Sequence, residues 1–136
     1  MSENCFFCRL IKDDPRNEIL LENDLAVMIR DTSPVSDGHS LIMPRRHSSS
    51  FFDTSAEERL AMMELLDQAK AGLDEEFSPD DYNIGINDGP LAGQSIPHVH
   101  IHLIPRFRGD REDPRGGIRW ALPERAKYWL DLKDAK

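Results

Sequence analysis

The sequence predicts an α+β domain: an antiparallel sheet of about five strands, one long helix laid on it, and a short C-terminal helix. Two short β-type segments meet at a turn near the N-terminus. A single run of helical period fills the middle of the chain, and further β-type segments follow it without alternating helices, as an antiparallel sheet requires. With 136 residues the chain suits one domain with enough volume for a core. It reads as a core over about 5–106 and an extension over 107–136.

In chain order, Phe6 to Ile11 is a short helix closed by Asp13-Asp14-Pro15. Glu18 to Glu22 and Leu25 to Arg30 are two strands joined at Asn23-Asp24, a turn pair. Asp31 to Gly38 is a polar loop, and His39 to Met43 is a third strand ended by Pro44. Thr54 and Ser55 each stand three residues before a glutamate, Glu57 and Glu58, so either pair can form a capping box. The long helix that follows carries Leu60, Met63, Leu66, Leu73 and Phe77 near the 3.6-residue period and stops at Ser78-Pro79. Tyr82 to Ile86 is a strand by alternation, and His98 to Ile104 is the last, bracketed by Pro97 and Pro105. Pro123 suits the first position of a terminal helix running to Leu132.

The composition, 39% hydrophobic and 31% charged, is that of a folded chain and argues against disorder. A net charge of −8 disfavours a sequence-independent nucleic-acid binder, which needs excess Lys and Arg to displace counterions. It leaves room for a nucleotide in a locally favourable pocket. Met1-Ser2-Glu3-Asn4-Cys5 has no apolar stretch of the signal-peptide kind, and no apolar run approaches a membrane span. The expected location is cytoplasmic, with no membrane partner, where the only two cysteines, Cys5 and Cys8, stay free of a structural disulfide.

The most informative segment is Pro97-His98-Val99-His100-Ile101-His102-Leu103-Ile104-Pro105. On a strand, Val99, Ile101 and Leu103 share one face and the three histidines the other, spaced by about 6.6 Å. With five histidines in 136 residues, two more at the next two alternate positions arise by chance roughly once in a thousand trials. Unrelated surface histidines therefore explain the pattern poorly. Three metal ligands explain it little better, because alternate side chains on an unbent strand splay apart. Imidazole suits attack on phosphorus, since it is mostly neutral at pH 7 and has a free lone pair. A second, protonated imidazole beside it would neutralise charge on the phosphoryl oxygens.

The segment His98-Val99-His100-Ile101-His102-Leu103-Ile104 matches the signature of the histidine-triad (HIT) family, and Asn87-Asp88-Gly89-Pro90-Leu91-Ala92-Gly93-Gln94-Ser95 resembles that family's phosphate loop. The resemblance runs from Cys5 to about Arg106. The stretch from Arg106 to Trp129 looks like that of bacterial members described as diadenosine-polyphosphate hydrolases, a much less diagnostic likeness. The resemblance implies that His100 is the nucleophile, that His102 contacts the α-phosphate and that His39 lies close to the nucleophile. It implies that Gln94 and Ser95 hold the phosphate and serve the leaving group, and that Asn87 bonds near the scissile phosphate. It places Asp31 on the ribose hydroxyls and Phe7 beside the base. Physically, a Gly-flanked turn such as that at Gly93 lets backbone N–H groups approach phosphate. Plainer roles remain open: Asp31 as a turn cap, Phe7 as core, His39 as a satisfied buried polar residue.

Cys5-Phe6-Phe7-Cys8 points to metal or redox chemistry. A zinc ion needs two more ligands, and His47 and His98 are the natural candidates for a Cys₂His₂ site, although the spacing is not that of a zinc finger. Metal-free thiols remain an alternative. Redox activity is the weakest reading, because no thioredoxin-like βαβ pattern follows. The family resemblance supports structural zinc, leaving His100 and His102 for chemistry, with no catalytic metal required.

Arg106, Arg108, Arg111, Arg115 and Arg119 are interleaved with Asp110, Glu112 and Asp113. They can reach distal phosphates or form a solvated mixed-charge loop. The expected activity is hydrolysis or transfer at the α-phosphorus of a nucleoside 5′-phosphoryl compound, with dinucleoside polyphosphates foremost. Nucleoside phosphoramidates, nucleotidyl transfer and a regulatory nucleotide-binding role are the alternatives. The family further implies a homodimer joined edge to edge.

Overall fold

The computed structural model describes residues 4–131; Met1–Glu3, and Leu132 at the expected end of the terminal helix, lie outside the described residues. Five strands form one antiparallel sheet in the order β1-β2-β3-β5-β4: β1 Leu21–Glu22, β2 Ala26–Arg30, β3 Ser40–Pro44, β4 Asp81–Ile86 and β5 Ile101–Arg106. The helices are α1 Phe6–Asp13, α2 Ala56–Phe77 and α3 Pro123–Ala126. No helix among the described residues is long and apolar enough to cross a membrane.

Helix α2 covers one face of the sheet. Its start is the predicted capping box: Ser55 Oγ accepts the Glu58 N–H at 3.0 Å, and Glu58 Oε1 accepts the Ser55 N–H at 2.8 Å. Its buried stripe is Ala61, Met62, Leu65, Ala69 and Leu73, packed on Ala26, Met28, Ile42, Ile101 and Leu103. This corrects the face read from the leucine and methionine pattern, since Leu60 and Met63 are exposed. The two alanines decide it: where a helix lies close to a sheet, small side chains belong to the inner face and bulk is left for the rim.

The other face carries a second cluster, in which Cys5, Phe7, Cys8 and Leu10 of the N-terminal segment pack on Val27, Ile29, Leu41 and Met43. The sheet is thus the middle of three layers. Register aligns one row across four strands on this second face: Ile29 opposite Leu41, Leu41 opposite His102, and His102 opposite Gly85.

Strand ends shift by one to three residues from the sequence pattern, and those of β1, β5 and β3 have clear backbone reasons. Strand β1 is shorter at its start because the N–H groups of Glu18 and Ile19 donate to the Asp14 carboxylate, at 2.6 and 3.3 Å. Strand β5 begins at Ile101, since the His98 N–H donates to Ile96 O and the Val99 N–H to Ser48 O. His98 and His100 therefore stand on an approach segment, although Val99 and Ile101 still point into the core. Strand β3 includes Pro44, which pairs with Ala26 on one side after its β5 ladder has ended at Ile42 opposite Ile101. Pro105 does the same on β5, pairing with Tyr82 beyond the last β3 partner. In both places the missing N–H falls where no neighbour needs it.

One glycine is dictated by packing. Gly38 has φ +87°, and a Cβ there would sit 2.7 Å from Leu73 Cδ2, so the loop reaches His39 past α2 only without a side chain. After β5, the C-terminal helix is broken into α3 and a short 3₁₀ turn at Tyr128–Leu130. Arg111, Arg115 and Arg119 lie over Trp120, Trp129 and Tyr128 at 4.6, 4.1 and 4.5 Å.

Candidate functional site

On the second face of the sheet a cleft of about 400 Å³ is lined by Phe6, Phe7, Asp31, Asn87, Ser95, His100 and His102, among others. Ile29 and Leu41 of the cross-strand row contribute apolar lining. A larger hollow of about 480 Å³ lies further along β4 and β5, between Asp80, Arg106, Arg108 and Glu112, and holds no histidine.

Proton positions in the cleft follow from the partners, because a carbonyl oxygen can only accept. His100 Nδ1 lies 2.9 Å from the His98 carbonyl oxygen, so Nδ1 carries the proton and Nε2 keeps its lone pair. The ring stands edge-on to Phe7, 5.2 Å between centroids, and 5.0 Å from His102. His39 is the reverse tautomer: its Nδ1 accepts the Val35 N–H at 3.2 Å. Its Nε2–H therefore donates to His102 Nδ1 at 2.9 Å, with Asp31 Oδ2 at 3.4 Å beyond. His102 is left with its proton on Nε2.

This relay corrects the expectation of a protonated second imidazole. Burial, reinforced by His100 and His39, pulls His102 down to about 4, and burial lowers His39 as well. His102 is therefore a neutral N–H donor at pH 7. Asp31, His39 and His102 also place three ligand-type atoms close together. A metal on His39 Nε2 would require the proton on Nδ1, where the Val35 N–H already points; the arrangement fits a hydrogen-bond chain better than a metal site.

Asp31 combines two roles, as its other oxygen accepts the Ser33 N–H at 2.8 Å and shapes the loop. Phe7 likewise serves both core and cleft. Asn87 and Ser95 line the cleft, but Gln94 does not: its amide accepts from the Gly89 N–H and donates to the carbonyls of Ser49 and Ile96. The N–H groups of Gly89, Ala92, Gly93 and Gln94 all donate within this segment. With Gly93 at φ +98°, the turn is closed on itself, and the polar lining nearest it comes from Asn87 and Ser95 rather than from a ring of free backbone amides.

Behind the cleft, Cys5, Cys8, His47 and His98 bring four ligand atoms within 4.8 Å of one another. Cys8 Sγ lies 3.4 Å from His47 Nδ1 and 3.5 Å from His98 Nδ1, and Cys5 Sγ lies 3.5 Å from the same His98 atom. A zinc tetrahedron with Zn–S near 2.3 Å and Zn–N near 2.05 Å has S···N edges of about 3.5 Å. His98 is prepared for the role, since its Nε2–H donates to Pro44 O at 2.7 Å and leaves Nδ1 free to ligate. Burial drives His98 down to about 4, which keeps it neutral. Four protein ligands close the site, so zinc held there braces structure and supplies no open coordination position.

A family model, the HIT domain, matches residues 13–109. The chain belongs to the HIT family. Among HIT relatives, the adenylylsulfatase HINT3 of Arabidopsis thaliana is 34% identical over 110 residues, 81% of this chain but only 56% of that protein. The adenosine 5′-monophosphoramidase hnt1 of Schizosaccharomyces pombe is 30% identical over 117 residues, 86% of this chain and 83% of its own. The crystal structure of a zinc-bound histidine triad protein from Mycobacterium smegmatis superposes with a TM-score of 0.73 at 30% identity, covering 100% of both chains.

Three parts of the HIT site were not read from sequence. Asp88 anchors the loop, accepting from Ser50 Oγ at 3.0 Å and the Phe51 N–H at 2.6 Å; its place in the Asn87–Gly89 turn was the only signal. Phe6 lines the cleft beside Phe7, as its place in the cysteine pair could have suggested. The Val35 N–H and Pro44 carbonyl, which set two histidine tautomers, are backbone groups and leave no trace in residue identity.

Proposed function

We propose that this HIT-family enzyme cleaves nucleoside 5′-phosphoryl compounds at the α-phosphorus, with an adenylyl group as the transferred part. The observation that carries the proposal is the fixed tautomer of His100: Nδ1–H is held by the His98 carbonyl, so Nε2 is the nucleophilic atom of a cleft that also holds Asp31. His100 Nε2 forms a bond to phosphorus as the bond to the leaving group breaks. Water then displaces His100, releasing the nucleoside monophosphate and returning the imidazole. His102 Nε2–H, Asn87 and Ser95 bond the non-bridging oxygens, Asp31 accepts from the ribose hydroxyls, and Phe6 and Phe7 flank the base. Gln94 acts indirectly by holding the loop.

Among the described residues no Lys or Arg lines this cleft. A leaving group of low charge, such as an amine or sulfate, is therefore favoured over a polyphosphate chain, which needs cations to offset its charge. The names of the two relatives agree with that preference. Dinucleoside polyphosphates remain the competing class, served by the arginines from Arg106, at the end of β5, onward. Of these, Arg106 is paired with Asp110 at 2.7 Å and Arg115 with Asp113 at 3.0 Å. Zinc at Cys5, Cys8, His47 and His98 is the proposed structural metal. The proposed homodimer forms along the outer edge of β4, where no strand among the described residues pairs and Ile84 is 51% exposed.

The test is release of AMP from adenosine phosphoramidate, adenylyl sulfate and diadenosine polyphosphates by the wild type and by His100→Ala. Wild-type release fastest from the first two, and lost in the variant, is expected. Equal release by both proteins would remove His100 as nucleophile, and fastest release from the polyphosphates would restore that class.

A further inference from the structure

Helix α1 belongs to two sites at once. Its N-terminal turn is the cysteine turn: Cys5 is the N-cap, its Sγ accepts the Cys8 N–H at 3.4 Å, and both sulfurs face His98 Nδ1. The two residues inside that turn, Phe6 and Phe7, line the cleft. Phe7 then touches both histidines edge-on, His98 at 5.9 Å and His100 at 5.2 Å between centroids. Of the four ligand residues, two sit on this turn, while His47 and His98 stand on the segments beside β3 and β5. A metal ion there ties the aromatic wall of the cleft to the segment before β5 that carries His100.

We propose that metal binding at Cys5, Cys8, His47 and His98 and nucleoside binding in the cleft are energetically linked, with Phe7 carrying the coupling. The proposal rests on reading the cleft as a nucleotide site. Without the ion, the turn is held by apolar contacts to Val27, Ile29, Leu41 and Met43, by the edges of His98 and His100 against Phe7, and by thiol–imidazole contacts weaker than coordinate bonds. Phe6 and Phe7 then sample positions that no longer flank a base, and ordering them is charged against nucleotide affinity. With the ion, that ordering is already done. Linkage is reciprocal, so a nucleotide that binds the ordered wall tightens the metal by the same factor. Phe7 is here a binding residue whose place depends on the metal turn it belongs to.

The experiment measures AMP affinity by calorimetry for the zinc-loaded and zinc-free protein. In parallel, zinc affinity is measured by competition with a chromophoric chelator, with and without saturating AMP. Zinc removal is expected to weaken AMP binding by a factor between about 5 and 150, the usual range of such coupling, and AMP to tighten zinc by the same factor. In Phe7→Leu, with AMP at the same multiple of its own Kd, the factor falls toward one. That arm also serves if zinc removal unfolds the chain, because stabilisation by global folding alone predicts equal zinc retention in both proteins. Equal AMP affinity with and without zinc, or an undiminished factor in Phe7→Leu, overturns the proposal. Absence of zinc binding overturns it while leaving the proposed activity standing, whereas absence of AMP binding to the zinc-loaded protein removes both.

Discussion

The carbonyl oxygen of His98 accepts the Nδ1–H of His100 at 2.9 Å, while the His98 ring presents its own Nδ1 to Cys5 and Cys8 at 3.5 Å. One residue thus orients the His100 ring with its main chain and faces the thiols with its side chain. The two rings must then be opposite tautomers. Nitrogen-15 NMR at neutral pH is expected to show His98 protonated at Nε2 and His100 at Nδ1. An Nε2-protonated His100 would lack the lone pair proposed for attack on phosphorus.

His102 makes the folded state sensitive to acid. Its folded value of about 4 lies below the unfolded 6.5, so between these values the unfolded chain binds the extra proton. Its contribution to stability is complete above about pH 6.5 and is lost as the pH falls toward 4. Thermal melts of the wild type are expected to fall over that window more steeply than those of His102→Gln at matched zinc loading. Parallel slopes would mean that His102 does not titrate differently on folding.

Asp31 is the residue proposed to carry the preference for ribose. Its position at the cleft, with one oxygen bonded to the Ser33 N–H and the other toward His39, suits it to accept from vicinal hydroxyls. Asp31→Ala is expected to raise KM for adenylyl substrates. It should also shrink the discrimination against 2′-deoxyadenylyl analogues by roughly tenfold or more, the worth of one or two charged hydrogen bonds. Unchanged discrimination would leave Asp31 as a loop brace alone.

The inner face of α2 is set by Met62 and Leu65 rather than by Leu60 and Met63. Met62 is 0% exposed and Leu60 61% exposed. Met62→Ala is therefore expected to cost about 2–5 kcal/mol and Leu60→Ala about 0.5 kcal/mol or less, both read by urea unfolding.

That helix shows where sequence reading succeeds and where it stops. Period reveals that a segment is helical, and Ser55 with Glu58 reveals where it starts, because both signals are local. Which stripe is buried depends on how closely the helix approaches the sheet, and that is settled by Ala61 and Ala69 meeting strands distant in sequence. The histidine segment divides in the same way. Its alternation correctly puts Val99, Ile101 and Leu103 in the core, and the need for two ligands beyond the cysteine pair, with the family resemblance, nominated His47 and His98 although their spacing is not that of a zinc finger. The neutral state of His102 was not legible, since it comes from burial and from His39 sixty-three residues away. Nor was the inward turn of Gln94, whose partners Gly89, Ser49 and Ile96 are backbone groups assembled by the fold.

Pro44 and Pro105 mark opposite ends of the β3–β5 ladder, whose register pairs Leu41 with His102. A slip of one residue would turn the histidines toward α2. A slip of two residues that lengthens the pairing preserves the faces, yet it sets Pro44 opposite Ile101 and Pro105 opposite Ser40, inside a ladder that needs donors the prolines lack. In that direction the two rings act as stops on a sliding track. Their position keeps His39 within reach of His102 without any contact of their own to the cleft, so the alignment of the relay is enforced by residues that take no part in its proton chemistry.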